Sequence, residues 1–154
     1  MQVKDCMKRN VFFITAETTI ADAARMLVEK HIGMLPVVDS SHTLVGLLPL
    51  RSPLLIVLPD FVHLVEDFDF VSDFGAAEAR KPDPALLAHP VSEIMIAPES
   101  VDETTGLMRA FALLHQHQLH DLPVVDAHGK LAGIVSRVDV GAAFLSSWNV
   151  TQGG

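Results

Sequence analysis

The pentapeptide Leu-Pro-Val-Val-Asp occurs twice, at residues 35–39 and 122–126, and this duplication constrains the fold more than any other feature of the chain. The first copy is followed by Ser40-Ser41-His42-Thr43 and an apolar run at 44–48. The second is followed by Ala127-His128-Gly129-Lys130 and an apolar run at 131–135. Short Val-rich runs joined by a four-residue turn read as strand, turn, strand. A motif that recurs once at an offset of 87 residues marks a tandem pair, because a solenoid needs a shorter period and more copies.

An amphipathic helix is expected ahead of each hairpin. Ile20, Ala23, Ala24, Leu27, Val28 and His31 fall on one stripe, with Asp22, Arg25, Glu29 and Lys30 off it. Thr19 with Asp22 supplies the start signal. Leu107, Ala110, Phe111 and Leu114 repeat the stripe after Thr104-Thr105. Pro36 and Pro123 lack an N–H and suit strand starts. A short helical turn at 3–7 recurs at 91–95, and the strand expected at 11–14 has a weaker counterpart at 97–101.

Beyond the hairpins the copies diverge. The second runs Gly133-Ile134-Val135-Ser136-Arg137-Val138-Asp139 into a helix reaching about Trp148. The first passes Pro49 to Ser52-Pro53, an N-cap and first-turn pair that opens a long apolar helix over 54–68, kinked or restarted at Pro59. Its apolar stripe either packs on its own module or forms a dimer or partner surface. Residues 73–90 shift to Gly, Ala, Lys, Pro and Asp and read as a linker. The expected division is a first repeat at 1–58, a helical insertion and linker at 59–90, a second repeat at 91–148 and a frayed tail at 149–154.

Composition removes several function classes. Net charge is −8, from 11 basic and 19 acidic residues, with no basic cluster to match a nucleic-acid backbone. No run of about 18 apolar residues exists, so no membrane partner is expected. The single cysteine, Cys6, forbids an intrachain disulfide and fits a reducing, cytoplasmic setting.

The order strand–helix–strand–strand–helix, given twice, with Pro-Val-Val-Asp and then Gly-x-x-Ser-x-x-Asp, resembles the cystathionine β-synthase (CBS) domain family, whose tandem pair is called a Bateman module. The resemblance implies an α/β fold of two tandem βαββα domains packed with pseudo-twofold symmetry. It also implies a non-catalytic regulatory module that binds an adenosine-containing ligand (AMP, ADP, ATP or S-adenosylmethionine) between the repeats, forms a homodimer and signals to a separate, unidentified protein. Carried onto this chain, Asp139 receives the ribose hydroxyls and Ser136 lies near the phosphate, within the motif that also holds Ile134 and Arg137. The facing wall is Asn10, Phe12, Ile32, Gly33 and Met34. Carboxylates suit a diol, a helix start suits phosphate, and apolar walls suit a purine.

The second site implied by the resemblance is degraded. Pro49 replaces the Ser and Ser52 the Asp, facing a wall at 97–99 and 119–121 that includes His120. Asp121 repels phosphate, and Arg137 and Arg51 are the nearest counter-charges in sequence. That balance favours AMP or S-adenosylmethionine over ATP, because several phosphates need several cations. The alternative is a ligand-free dimerisation or interaction scaffold.

Asp139 taken alone is an N-cap for the last helix. His115, His117 and His120 are a solvated helix end and not a metal site, since i and i+2 diverge and no cysteine or carboxylate pattern completes the ligands. His31 is a packed or capping residue. Lys4, Lys8 and Arg9 are expected to lower the Cys6 pKa somewhat, without making it a nucleophile.

Overall fold

The computed structural model describes residues 1–58 and 79–149. Each repeat builds a three-stranded sheet with a parallel and an antiparallel pair. In the first, β1 (Ile14–Thr15) lies beside β2 (Met34–Val38), which pairs with β3 (Leu44–Pro49). In the second, β4 (Val101–Asp102), β5 (Asp121–Val125) and β6 (Leu131–Ser136) repeat that order. The helices are α1 (Ile20–Lys30), α2 (Arg51–Leu55), α3 (Pro84–Leu87), α4 (Leu107–Gln116) and α5 (Arg137–Ser147). None of the described helices is long and apolar enough to cross a membrane. The mixed α/β class with two matched sheets is the one expected from the duplication.

The pentapeptide aspartates make the hairpin turns. Asp39 Oδ1 accepts from the backbone N–H of Ser41 (2.9 Å) and Thr43 (3.0 Å), and Asp126 Oδ1 from His128 (2.8 Å) and Lys130 (3.0 Å). Those two backbone donors hold the Asp126 carboxyl below its ordinary value. The left-handed turn position is Gly129 (φ 77°) in one copy and His42 (φ 65°) in the other, where the imidazole meets Phe13 edge-on at 4.8 Å.

The helices follow the stripes with corrections at their edges. Thr19 Oγ1 caps α1 by accepting from Asp22 N–H (3.1 Å). Ile20, Ala23 and Leu27 are buried, but Val28 is 77% exposed, because its turn position carries it to the margin of the stripe. Leu107, Ala110 and Leu114 are buried in α4, while Phe111 stays 42% exposed. His31 is exposed and closes α1 in the left-handed region (φ 51°), so it caps and does not pack. Helix α2 starts at Arg51, which puts Ser52 inside its first turn and not at the N-cap. The helix expected beyond Pro59 and the tail from 150 lie outside the described residues.

What joins the halves is an exchange of their opening segments. Val3, with no exposed surface, sits in the core of the second repeat, and Val91 sits likewise in the core of the first. Each such burial contributes roughly 1.5–3 kcal/mol. Lys8 forms a two-way backbone pair with Ile134 on β6 (both 2.8 Å), and Ile96 does the same with Leu47 on β3 (2.8 and 3.0 Å).

This pairing explains two departures from expectation. Pro36 and Pro123 fall in the middle of the central strands, not at their starts, opposite Leu47 and Ile134. Those partners turn their own N–H and C=O outward to the exchanged segments, so neither asks the proline for a donor. The strand expected at 11–14 shrinks to Ile14–Thr15, because the chain is paired to one sheet at Lys8 and to the other at Ile14. The residues between span the gap and pair with neither. The strand expected at 97–101 shortens in the same way to Val101–Asp102.

The exchange also fixes two glycines. A Cβ on Gly133 would lie 2.5 Å from the Lys8 carbonyl oxygen and strike the Met7 side chain, and one on Gly46 would lie 2.7 Å from the Met95 sulfur. Gly133→Ala is therefore expected to lower stability by about 2 kcal/mol or more. Gly141→Ala, in α5 with open space around it, should raise stability by up to about 1 kcal/mol. Urea denaturation of the two variants measures both signs.

Candidate functional site

Two cavities open in the cleft between the repeats, and both are lined by Gly33, Met34 and Asp121. The first, about 340 Å³, takes its wall from the crossing segment (Lys8, Asn10, Val11, Phe12) and from the turn after α1 (His31, Ile32). Ile134 closes it from the second repeat. The second, about 260 Å³, is bounded by Pro49, Leu50, Arg51 and Leu54 on one side and by residues 118–121 on the other. The two correspond under the duplication, with Met34 in one repeat standing where Asp121 stands in the other.

Six of the nine residues assigned by resemblance line the larger cavity: Asn10, Phe12, Ile32, Gly33, Met34 and Ile134. The other three belong to the start of α5. Ser136, and not Asp139, is the N-cap. Its Oγ accepts from Asp139 N–H (3.0 Å), and its own N–H donates to Asp139 Oδ2 (2.9 Å). This reciprocal pair satisfies two helix-end donors at once. The other carboxylate oxygen, Asp139 Oδ1, lies 3.5 Å from Lys8 Nζ, and through Lys8 it borders the cavity.

Arg137 is used elsewhere. Its Nε donates to Leu119 O (2.6 Å) and its Nη2 to Leu114 O (3.1 Å), so it ties down the end of α4 and does not stand free as a counter-charge. Arg51 reaches the same turn from the first repeat, donating to Gln118 O at 2.8 Å, while still bordering the smaller cavity. Both guanidiniums donate to carbonyls in or just beyond the last turn of α4.

The degraded site is likewise divided. Pro49 and His120 line the smaller cavity, whereas Ser52 is buried away from it at 7% exposure. Of the wall expected opposite, residues 119–121 are present and 97–99 are not. His117 ends α4 with its Nε2 3.5 Å from Glu99 Oε2. Among the described residues no three His, Cys, Asp or Glu side chains converge as a metal set.

Sequence reasoning missed Lys8 as a cavity residue and assigned Asp121 only a repulsive role. The signal for Lys8 was its place next to the repeated Val-x-x-x-Met, which sets where the chain crosses. Cys6 also moves against expectation: burial pushes its thiol pKa up, and the charges of Asp139 and Asp5 add to that, outweighing the basic neighbours.

Phe12 carries Lys30 Nζ 4.9 Å over its ring, which places a flat, electron-rich face at the cavity edge. The lining combines apolar side chains with one ammonium, Lys8, and one carboxylate, Asp121, which suits a planar ring bearing polar groups at one end.

Two interlocked α/β repeats around such a paired cleft define a tandem-repeat module. The chain matches the CBS domain over residues 3–55 and 91–145. It is 30% identical over 139 residues to a CBS domain-containing protein of Dictyostelium discoideum, covering 90% of this chain and 87% of that one. It is 31% identical over 151 residues to the chloroplastic CBS domain-containing protein CBSX2 of Arabidopsis thaliana, covering 94% of this chain and 63% of that protein's length. The crystal structure of CBSX2 in complex with AMP superposes with a TM-score of 0.69 at 33% identity, over 96% of this chain and 98% of that one. The chain belongs to the CBS domain family.

Burial raises the Asp121 carboxyl above the usual carboxylate range; His120 and Lys8 pull against that and Asp139 adds to it. A carboxyl raised in the folded state binds more protons there than in the unfolded chain. Stability therefore falls as pH rises from the ordinary aspartate value of about 3.9 through the folded value. Asp121→Asn should raise the denaturation midpoint at neutral pH, and the gain should vanish as pH drops to that ordinary value. Urea melts of both proteins across pH measure the difference.

Proposed function

We propose that this chain is a non-catalytic regulatory module that senses an adenosine-containing ligand in the larger cavity and signals to a separate partner protein. The observation that carries this reading is the convergence of Asn10, Phe12, Ile32 and Met34 from one repeat with Ile134 from the other on a single 340 Å³ cavity. Support comes from a relative 33% identical whose crystal structure is in complex with AMP. The repeats take 1–58 and 91–148, joined by 59–90 and followed by a tail at 149–154.

Charge narrows the ligand. Among the described residues Lys8 is the one lysine or arginine lining the cavity, and Asp121 lines it too. A single cation against a carboxylate favours AMP or the zwitterionic S-adenosylmethionine over ATP. Exposed Phe111 (42%) on α4, Leu145 (47%) in α5 and Trp148 (65%) just past its end support a homodimer. A cytoplasmic setting rests on the lone cysteine.

A second reading has its own observation. Both oxygens of Asp139 already have partners within the protein, Ser136 N–H and Lys8 Nζ, which is the state a ligand-free dimerisation scaffold would keep.

Isothermal titration with AMP, S-adenosylmethionine and ATP separates the two. Sensing predicts binding by one of the first two, and a gain of about 2.7 kcal/mol in folding stability at a hundredfold excess over Kd. Asp139→Ala should abolish that binding while costing only about 1 kcal/mol through the lost capping box, with the circular dichroism spectrum retained. Tighter binding of ATP rejects the charge argument, and binding of none of the three leaves the scaffold.

A further inference from the structure

We propose that Lys8 is a charge latch that exchanges partners: an adenosine ligand with one anionic group draws its ammonium off Asp139 and so frees Asp139 Oδ1 to accept a ligand hydroxyl. This rests on the ligand-sensing reading and adds the residue that sets ligand charge.

The geometry shows which member of the pair moves. Lys8 Nζ lies 3.5 Å from Asp139 Oδ1, but its side chain is 65% exposed whereas that of Asp139 is 15% exposed. An ion pair so open to solvent is weak and exchanges readily. Asp139 is fixed from the other side, its Oδ2 held by Ser136 N–H at 2.9 Å. Lys8 is pinned only at its backbone, by the two-way pair with Ile134, so its four-carbon stem can carry the ammonium into the cavity that it lines. A phosphate or carboxylate there makes a charge-assisted bond stronger than the exposed pair it replaces.

The exchange imposes two demands on one ligand. It must offer an anion to Lys8 and a hydroxyl to Asp139. Asp121 on β5 lines the same cavity, and its carboxylate opposes any second anionic group. Adenosine lacks the anion and a polyphosphate exceeds it. What fits is adenosine carrying one anionic group, either the phosphate of AMP or the carboxylate of S-adenosylmethionine.

The test is titration calorimetry of wild type, Lys8→Met and Lys8→Arg with AMP, S-adenosylmethionine and adenosine. Lys8→Met should cut the preference for the anionic ligand over adenosine by about tenfold or more, and Lys8→Arg should restore most of it. Loss confined to AMP places the phosphate on Lys8; loss confined to S-adenosylmethionine places the carboxylate there. The preference should also weaken with added salt in wild type and not in Lys8→Met. An unchanged preference in Lys8→Met overturns the latch while leaving ligand sensing intact. A wild-type protein that binds none of the three removes ligand sensing itself, and the latch with it.

Discussion

The structure depends on a trade. Each half surrenders its opening segment to the other's sheet, and takes the other's in return. The outer edges of β3 and β6 would otherwise present unpaired backbone groups at Leu47 and Ile134; the exchanged residues Ile96 and Lys8 occupy them. Because Val3 and Val91 are buried in the opposite cores, the trade is held by hydrophobic burial as well as by hydrogen bonds. Glycines at 46 and 133 are what let the backbones come that close.

From this follows the cleft. A chain paired to one sheet at Lys8 and to the other at Ile14 must cross the space between them, and the crossing residues Asn10 to Phe12 become a cavity wall. The twofold character of the fold would make both cavities alike, but the residues that face them have diverged. Under the duplication Asp121 corresponds to Met34, and around the helix starts nearby Pro49 corresponds to Ser136 and Ser52 to Asp139. The same backbone thus presents an apolar recess bordered by Arg51 on one side and a more polar slot bordered by Lys8 on the other.

The sequence made the repeats, the hairpins, both long amphipathic helices and the family resemblance legible, because each rests on local periodicity or turn chemistry. Six site residues carried over by resemblance do line one cavity, since they follow directly from strand and helix ends. What was not legible depended on contacts between the halves. The mid-strand place of Pro36 and Pro123 makes sense only once Leu47 and Ile134 are seen to bond outward. The uses of Arg51 and Arg137 depend on where the end of α4 falls, 18 to 67 residues away in sequence. Cys6 was misjudged because adjacent lysines in sequence matter less than burial and the carboxylate of Asp139.

The reciprocal trade also bears on how the chain matures during synthesis. As the polypeptide leaves the ribosome, residues 1–58 emerge with the first sheet's edge at Leu47 unmet and the seat for Val91 vacant. Domains made early generally fold as units before later ones appear. Here the pieces that complete the early half, Val91 and Ile96, are translated afterwards. The packing seen in either half is thus complete only once both have been made.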